Sequence, residues 1–279
     1  MKDYYFISGL PRSGSTLLSA ILKQNSEFYA DIGSPLLRLV ENTIDFISGS
    51  ESNLIITEQR RKNILYSLFD GYYSFVEKPV VFDSCRSWTK NTTLLKELFP
   101  NTKILCCVRD IPWIINSFEI ITKKNPFYSN LLVKPELNGN VFSRSDGMMD
   151  NNSGIIASPW IALQEGFALN PEMIYFVEYN NLCKNPENEM RNIYNFLEKP
   201  YYSHDFDEVE YSNPEFDLYA NIKDLHTVRK KVEYKEQKKV LPPEVWEKYE
   251  SMNMEFWKRG HNPDPGIIEK LSKKFINYQ

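Results

Sequence analysis

The chain has 279 residues, 42% of them hydrophobic and 14% aromatic, with a formal net charge of −4. This length is long for one domain and short for two, and predicts a single large α/β domain over 1–279 with ample material for a core. The acidic balance excludes a nucleic-acid binder held by bulk electrostatics.

In chain order, "YYFISG" (4–9) reads as a first strand and "SGSTLLSAILKQN" (13–25) as the helix after it. "FYADIG" (28–33) is a weaker strand, followed by a helix over 34–47 that Ser34-Pro35 opens, and by a further helix over 58–76. The strand "PVVFDS" (79–84), a helix over 92–99, the strand "TKILCCV" (102–108) and a helix over 112–124 come next. Cys106 and Cys107 point to opposite faces of their strand; with Cys85 and Cys183 they make no Cys-x-x-Cys pair, and the three histidines give no zinc frame. Reduced, buried thiols and a cytoplasmic setting are expected, with no metal.

Residues 125–156 carry Pro, Asn, Gly and Ser without periodicity and are expected to form a long loop, either a substrate-facing lid or a surface excursion. "MIYFVEY" (173–179) is a fifth strand, and Asn185-Pro186 opens a helix over 186–198. From about 200 the chain is polar and Tyr-rich, with a helical tail from about 235 and helices near 243–258 and 264–276. "MKDYYFISGL" contains no apolar stretch of signal-peptide length, and no run of about 18 apolar residues occurs, so neither a leader nor a membrane span is expected. Near-continuous apolar strands alternating with helices imply a central parallel sheet of about five strands covered on both faces.

The turn after the first strand carries most of the functional signal. Gly9, Gly14 and Thr16 have the spacing of a Walker A loop, but Ser15 stands in place of its lysine. Backbone N–H groups of residues 12–16 at a helix start can bind an anion without that lysine. Ser13, Ser15 and Thr16 add hydroxyl donors, and Arg12 adds a planar fork. Such a loop can grip one phosphate group but lacks the usual equipment for a magnesium-bound triphosphate. The plain alternative is a strand-to-helix turn rich in Gly and Ser.

The sequence resembles the sulfotransferase family. "GLPRSGSTLL" resembles that family's 5′-phosphosulfate loop, and "CVRDIPWIINSFE" (107–119) its 3′-phosphate motif, with Ser117 eight positions after Arg109. "FVEYNNLCKNPENEMRNIYNFL" (176–197) is similar to the family's later strand-and-helix segment; "FDSCRSW" (82–88) and "DLHTVRKKVEY" (224–234) match more loosely. The resemblance implies a P-loop-like α/β fold. It also implies transfer of a sulfuryl group from 3′-phosphoadenosine 5′-phosphosulfate to a hydroxyl or amine of a small-molecule, sugar or peptide acceptor, without a metal.

By the same resemblance Arg12, Ser13, Gly14, Ser15 and Thr16 bind the 5′ end of the donor, with Arg12 also stabilising the leaving group. Arg109 and Ser117 bind the 3′-phosphate, and Tyr179 contacts the nucleotide. Arg229 and Lys231 are candidates to close over its phosphates, although a basic run is also what a solvated face looks like.

Two departures from the family stand out. A lysine common after the third strand is missing, and Arg86 is either its substitute or an ion-pair partner of Asp83. The glutamate many relatives supply as general base after the second strand is also missing. Asp31 is the first replacement to consider, being in the right region; His226, some 195 residues later, is the rival, with an intrinsic pKa suited to the task. Two other readings stay open: a nucleotide kinase or NTPase with an aberrant loop, and a non-catalytic nucleotide-binding protein.

Overall fold

The computed structural model describes residues 2–124, 139–211, 214–219, 225–228, 230–251 and 257. Strand β1 (Asp3–Gly9) leads through a tight turn into α1 (Ser15–Leu22), and β2 (Phe28–Ala30) is followed by α2 (Leu36–Ser48), α3 (Ser50–Ile55) and α4 (Glu58–Tyr72). Then come β3 (Val80–Ser84), a 3-10 turn at Trp88–Asn91, α5 (Thr92–Leu98), β4 (Ile104–Val108) and α6 (Ile111–Lys124). α7 (Val141–Met148) and α8 (Ala157–Leu169) precede β5 (Ile174–Glu178), α9 (Tyr179–Lys184) and α10 (Pro186–Phe196). α11 (Pro214–Tyr219) and α12 (Pro243–Glu250) complete the described helices.

The strands form one parallel sheet in the order β2-β3-β1-β4-β5. Alternation along β1 explains why the sheet needs cover on both sides. Tyr4 and Phe6 pack in one core cluster with Phe69, Trp88 and Ile114, while Tyr5 and Ile7 pack in the other with Leu18, Phe82 and Tyr194. The five predicted strands are therefore present, with ends shifted by a residue or two, or three for the shortest.

The topology also says where a ligand sits. The chain leaves β1 toward the β2 edge but leaves β4 toward the β5 edge, so the switch point lies between β1 and β4. Open α/β sheets bind ligands at the carboxyl ends of strands at that point. The loop after Gly9 and the Val108–Arg109 step form its two lips.

The expected long loop over 125–156 is corrected in its second half; its first half, 125–138, lies outside the described residues. Residues 141–148 form α7, whose start is held by a capping box between Asn140 and Ser143. Arg144 makes a two-pronged pair with the buried Glu119 of α6, at 2.7 and 2.8 Å, and Met148 and Ile156 are in the core. The sequence does not signal α7 because its polar face is answered by one buried carboxylate rather than by an apolar stripe.

α8 escapes a sequence reading for the opposite reason: it is apolar nearly all round, so no helical period stands out. The tail is helical from Pro243 rather than from about 235; residues 235–242 are an extended strap on α6, and the helix expected near 264–276 lies outside the described residues. In that strap Asn116, fully buried, donates to the Lys238 carbonyl (3.0 Å) and accepts from the Val240 N–H (2.8 Å).

Candidate active site

A cleft of about 2070 Å³ opens over the carboxyl ends of the central strands. Its floor is the turn after β1, which depends on two glycines with positive φ. At Gly9 (φ +112) a Cβ would stand 2.2 Å from the Cys107 carbonyl oxygen, so only glycine lets β1 finish against β4. At Gly14 (φ +94) it would stand 3.0 Å from the Tyr179 ring. Arg12 between them also has a left-handed backbone, φ 58, a strained state for a residue with a side chain and one that collects at ligand-binding turns. The helix ladder begins with the Leu18 N–H on the Gly14 carbonyl (2.9 Å). The N–H groups ahead of it, residues 12–17, donate to no described acceptor, which is the arrangement that binds an anion at a helix start.

The side chain of Arg12 ties the site together. Its Nε donates to Ser117 Oγ on α6 (3.2 Å) and its Nη1 to the Leu225 carbonyl (2.9 Å). Arg109, 7% exposed, donates from Nη1 to the Arg12 carbonyl (3.3 Å) and lies over the Tyr179 ring at 4.3 Å. Among the described residues its buried Nε has no hydrogen-bond partner. Arg86, from the end of β3 on the other flank of β1, opens into the cleft. Its backbone is fixed by the Ser8 hydroxyl on its carbonyl (2.7 Å). Among the described residues none of these three guanidiniums makes a salt bridge; burial lowers the pKa of Arg12 and of Arg109, and for Arg12 the next cause is the charge of Arg109. Arg12 and Arg109, held together in this way, cost free energy unless an anion joins them.

The expected site residues divide as follows. Arg12, Gly14, Ser15, Thr16, Ser117, Tyr179, Arg86, His226 and Lys231 all line the cleft, with Arg109 packed behind Arg12. The Ser13 hydroxyl instead turns back to the Pro11 carbonyl (3.3 Å). Lys231 pairs with Asp207 at 2.7 Å in an exposed bridge. Arg229 lies outside the described residues. Arg86 makes no pair with Asp83, because Asp83 is buried at the end of β3 and accepts from Ser34 Oγ, Tyr73 Oη and Trp88 Nε1, each at 2.5 Å.

The two candidate bases are in different settings. Asp31 is not among the cleft-lining residues. Its carboxylate accepts from Tyr211 Oη (2.5 Å), the Ile32 N–H (2.8 Å) and Tyr29 Oη (3.5 Å). His226 faces the cleft because its segment is paired with residues 206–211: the Val209 N–H bonds the Lys230 carbonyl (2.6 Å), the Val228 N–H the Tyr211 carbonyl (2.8 Å), and the Val232 N–H the Phe206 carbonyl (2.8 Å). Its ring meets Asp217, a buried partner that the sequence does not signal.

A P-loop-like turn without its lysine, on a five-stranded parallel sheet and joined to an arginine-serine pair, defines a P-loop-like α/β fold. The chain belongs to the sulfotransferase family, whose model matches residues 5–203. Its fold is similar to the sulfotransferase domain from the curacin biosynthetic pathway, at TM-score 0.51 and 15% identity, covering 99% of this chain and 98% of that one. It is also similar to mouse sulfotransferase SULT7A1 complexed with PAP, at TM-score 0.52 and 13% identity, covering 98% and 89%. An uncharacterized protein of Aquifex aeolicus (strain VF5) is 25% identical over 211 residues, 72% of this chain; the match spans 26% of that longer protein.

Among the described residues no helix is long and apolar enough to cross a membrane, and no group of three or more His, Cys, Asp or Glu side chains could hold a metal ion.

Proposed function

We propose that the cleft binds 3′-phosphoadenosine 5′-phosphosulfate and that the protein transfers its sulfuryl group to a hydroxyl or amine of a sugar, peptide or small-molecule acceptor. One observation carries this reading: Arg12 and Arg109, from the two motifs that resemble the family's phosphate grips, meet at the sheet's switch point with Ser117 and, among the described residues, with no carboxylate in a salt bridge to them. A donor with anions at both ends of its ribose matches that pair of grips. The orphaned Arg109 Nε and the open N–H groups of the turn fit such a ligand. The mouse neighbour is complexed with PAP, which supports the same class of donor.

When bound, the donor supplies an activated sulfuryl group, and the chain's own residues do the rest. Arg109, held flat by Tyr179, and Ser117 take the 3′-phosphate; residues 12–16 take the 5′ end. Arg12 stands where negative charge grows as the S–O bond breaks, and Arg86 adds a second cation from the far side of β1. His226 rather than Asp31 takes the acceptor proton, because His226 lines the cleft while the Asp31 carboxylate is engaged elsewhere.

The kinase or NTPase reading loses support on a second residue besides Ser15. Asp83, the aspartate that ends "VVFD", is buried under three hydrogen bonds, so it is not placed to hold a hydrated magnesium ion. Four free cysteines fit a reducing, cytoplasmic setting.

The test is a transfer assay with ³⁵S-labelled donor against glucose, a tyrosine-containing peptide and 2-naphthol. Label moving to any acceptor with release of the bisphosphate is the expected result. Donor binding with no transfer to a broad panel would point instead to a non-catalytic binding protein.

A further inference from the structure

We propose that Asp217 is the positioning residue for His226, fixing the ring so that Nε2 is the proton acceptor; this rests on the reading of His226 as the general base. Asp217 lies on α11, is 4% exposed, and holds His226 at two places. Its two carboxylate oxygens accept from the His226 backbone N–H at 3.1 and 3.2 Å, and its Oδ1 is 2.7 Å from Nδ1 of the ring. A carboxylate only accepts, so the proton of the neutral ring resides on Nδ1 and the lone pair on Nε2. Holding backbone and ring together removes the rotations that would otherwise take the imidazole out of line.

A third contact ties this pair to the phosphate loop. Arg12 Nη1 donates to the carbonyl of Leu225, the residue before His226. Donor grip and base are thus one connected run, Ser117, Arg12, Leu225, His226 and Asp217, hydrogen-bonded at every step but the Leu225–His226 peptide bond.

Among the described residues the charges that act on the ring are Asp217 from α11, Arg12 from the turn after β1 and Arg86 from the end of β3. Burial lowers the ring's pKa most, Asp217 opposes that, and the two arginines add to it. With its pKa held below the usual 6.5, the ring is mainly neutral at pH 7. In the step itself Nε2 takes the acceptor's O–H or N–H proton as that atom bonds sulfur. The S–O bond to the donor phosphate breaks, its electron pair leaves on the bisphosphate, and Asp217 faces the imidazolium that results.

Three histidines in the chain make the ring readable by ¹⁵N NMR, with His226→Gln to assign its signals. In the wild type the neutral His226 ring should carry its proton on Nδ1. Asp217→Asn should mix the tautomers and lower the ring's pKa by about a unit or more. In the transfer assay the same variant should lose roughly 10- to 100-fold in kcat with adenosine bisphosphate affinity unchanged, which also certifies that it folds. Asp217→Glu should restore part of both signals. A wild-type ring protonated on Nε2, or an Asp217→Asn ring unaltered in tautomer and pKa, would overturn the pairing. Undiminished transfer by His226→Gln, with the tautomer still responsive to Asp217, would instead retire His226 as the base and the proposed catalytic role of Asp217 with it.

Discussion

Arg12 Nε donates to Ser117 Oγ at 3.2 Å, joining two motifs 105 residues apart in sequence across the switch point of the sheet. Each motif is a local pattern, and the hydrogen bond makes them one site. The proposed function divides the labour among the arginines.

Arg109→Ala should weaken adenosine bisphosphate binding roughly 10- to 100-fold and leave kcat for bound donor nearly intact. In the proposed donor complex the 3′-phosphate is remote from the breaking bond and is held alike in ground and transition states. Arg109→Lys should rescue poorly, because a lysine neither forks nor lies flat on Tyr179. Isothermal calorimetry beside steady-state kinetics checks both.

Arg12→Ala should show the opposite balance, with kcat falling more than donor affinity, since leaving-group charge appears only as the bond breaks. A loss confined to donor KM would assign Arg12 to binding alone.

Gly9→Ala should destabilise the fold by about 2 kcal/mol or more, through the positive φ and a Cβ that meets the Cys107 backbone. Gly14→Ala should be milder in stability but should weaken donor binding, because its Cβ presses on the Tyr179 ring that supports Arg109. Denaturant melts and bisphosphate titrations separate the two.

Stability should depend on pH through two buried groups of opposite sign. Burial holds His204, next to Tyr194 Oη at 3.1 Å, at a pKa of about 4 instead of 6.5. The unfolded chain therefore takes up this proton first, and stability falls as pH drops from 6.5 toward 4, by up to roughly 3 kcal/mol. Burial raises Glu189, which accepts from Tyr175 Oη, from 4.5 to about 7. Stability is lost there as pH rises from 4.5 to 7. Melting curves of His204→Gln should flatten the acid slope, and Glu189→Gln should melt higher than the wild type at pH 8 but not at pH 4.5.

What is legible in the sequence follows the range of the physics involved. Strands and amphipathic helices come from short apolar periods, and Arg12, Arg109, Ser117 and Tyr179 from motifs contained in one strand-to-helix step each. The placement of Asp31 does not follow from sequence, because β2 is an edge strand beside β3 rather than β1, and Tyr211 reaches its carboxylate from 180 residues away. Asp217 lies nine residues from His226 in a stretch with no period to read, so only the fold pairs them. That Arg86 does not pair with Asp83 is equally out of reach, since Asp83 looks available until Ser34, Tyr73 and Trp88 close around it.

The most direct measurement is calorimetric titration of the full chain with 3′,5′-adenosine bisphosphate, AMP and ATP–magnesium, with melting temperatures taken alongside. The bisphosphate should bind most tightly and, at about 100 times its Kd, add roughly 2.7 kcal/mol to stability. AMP, lacking the 3′-phosphate for Arg109 and Ser117, should bind far more weakly. Equal or tighter binding of ATP–magnesium, or no binding of the bisphosphate, would contradict the donor site.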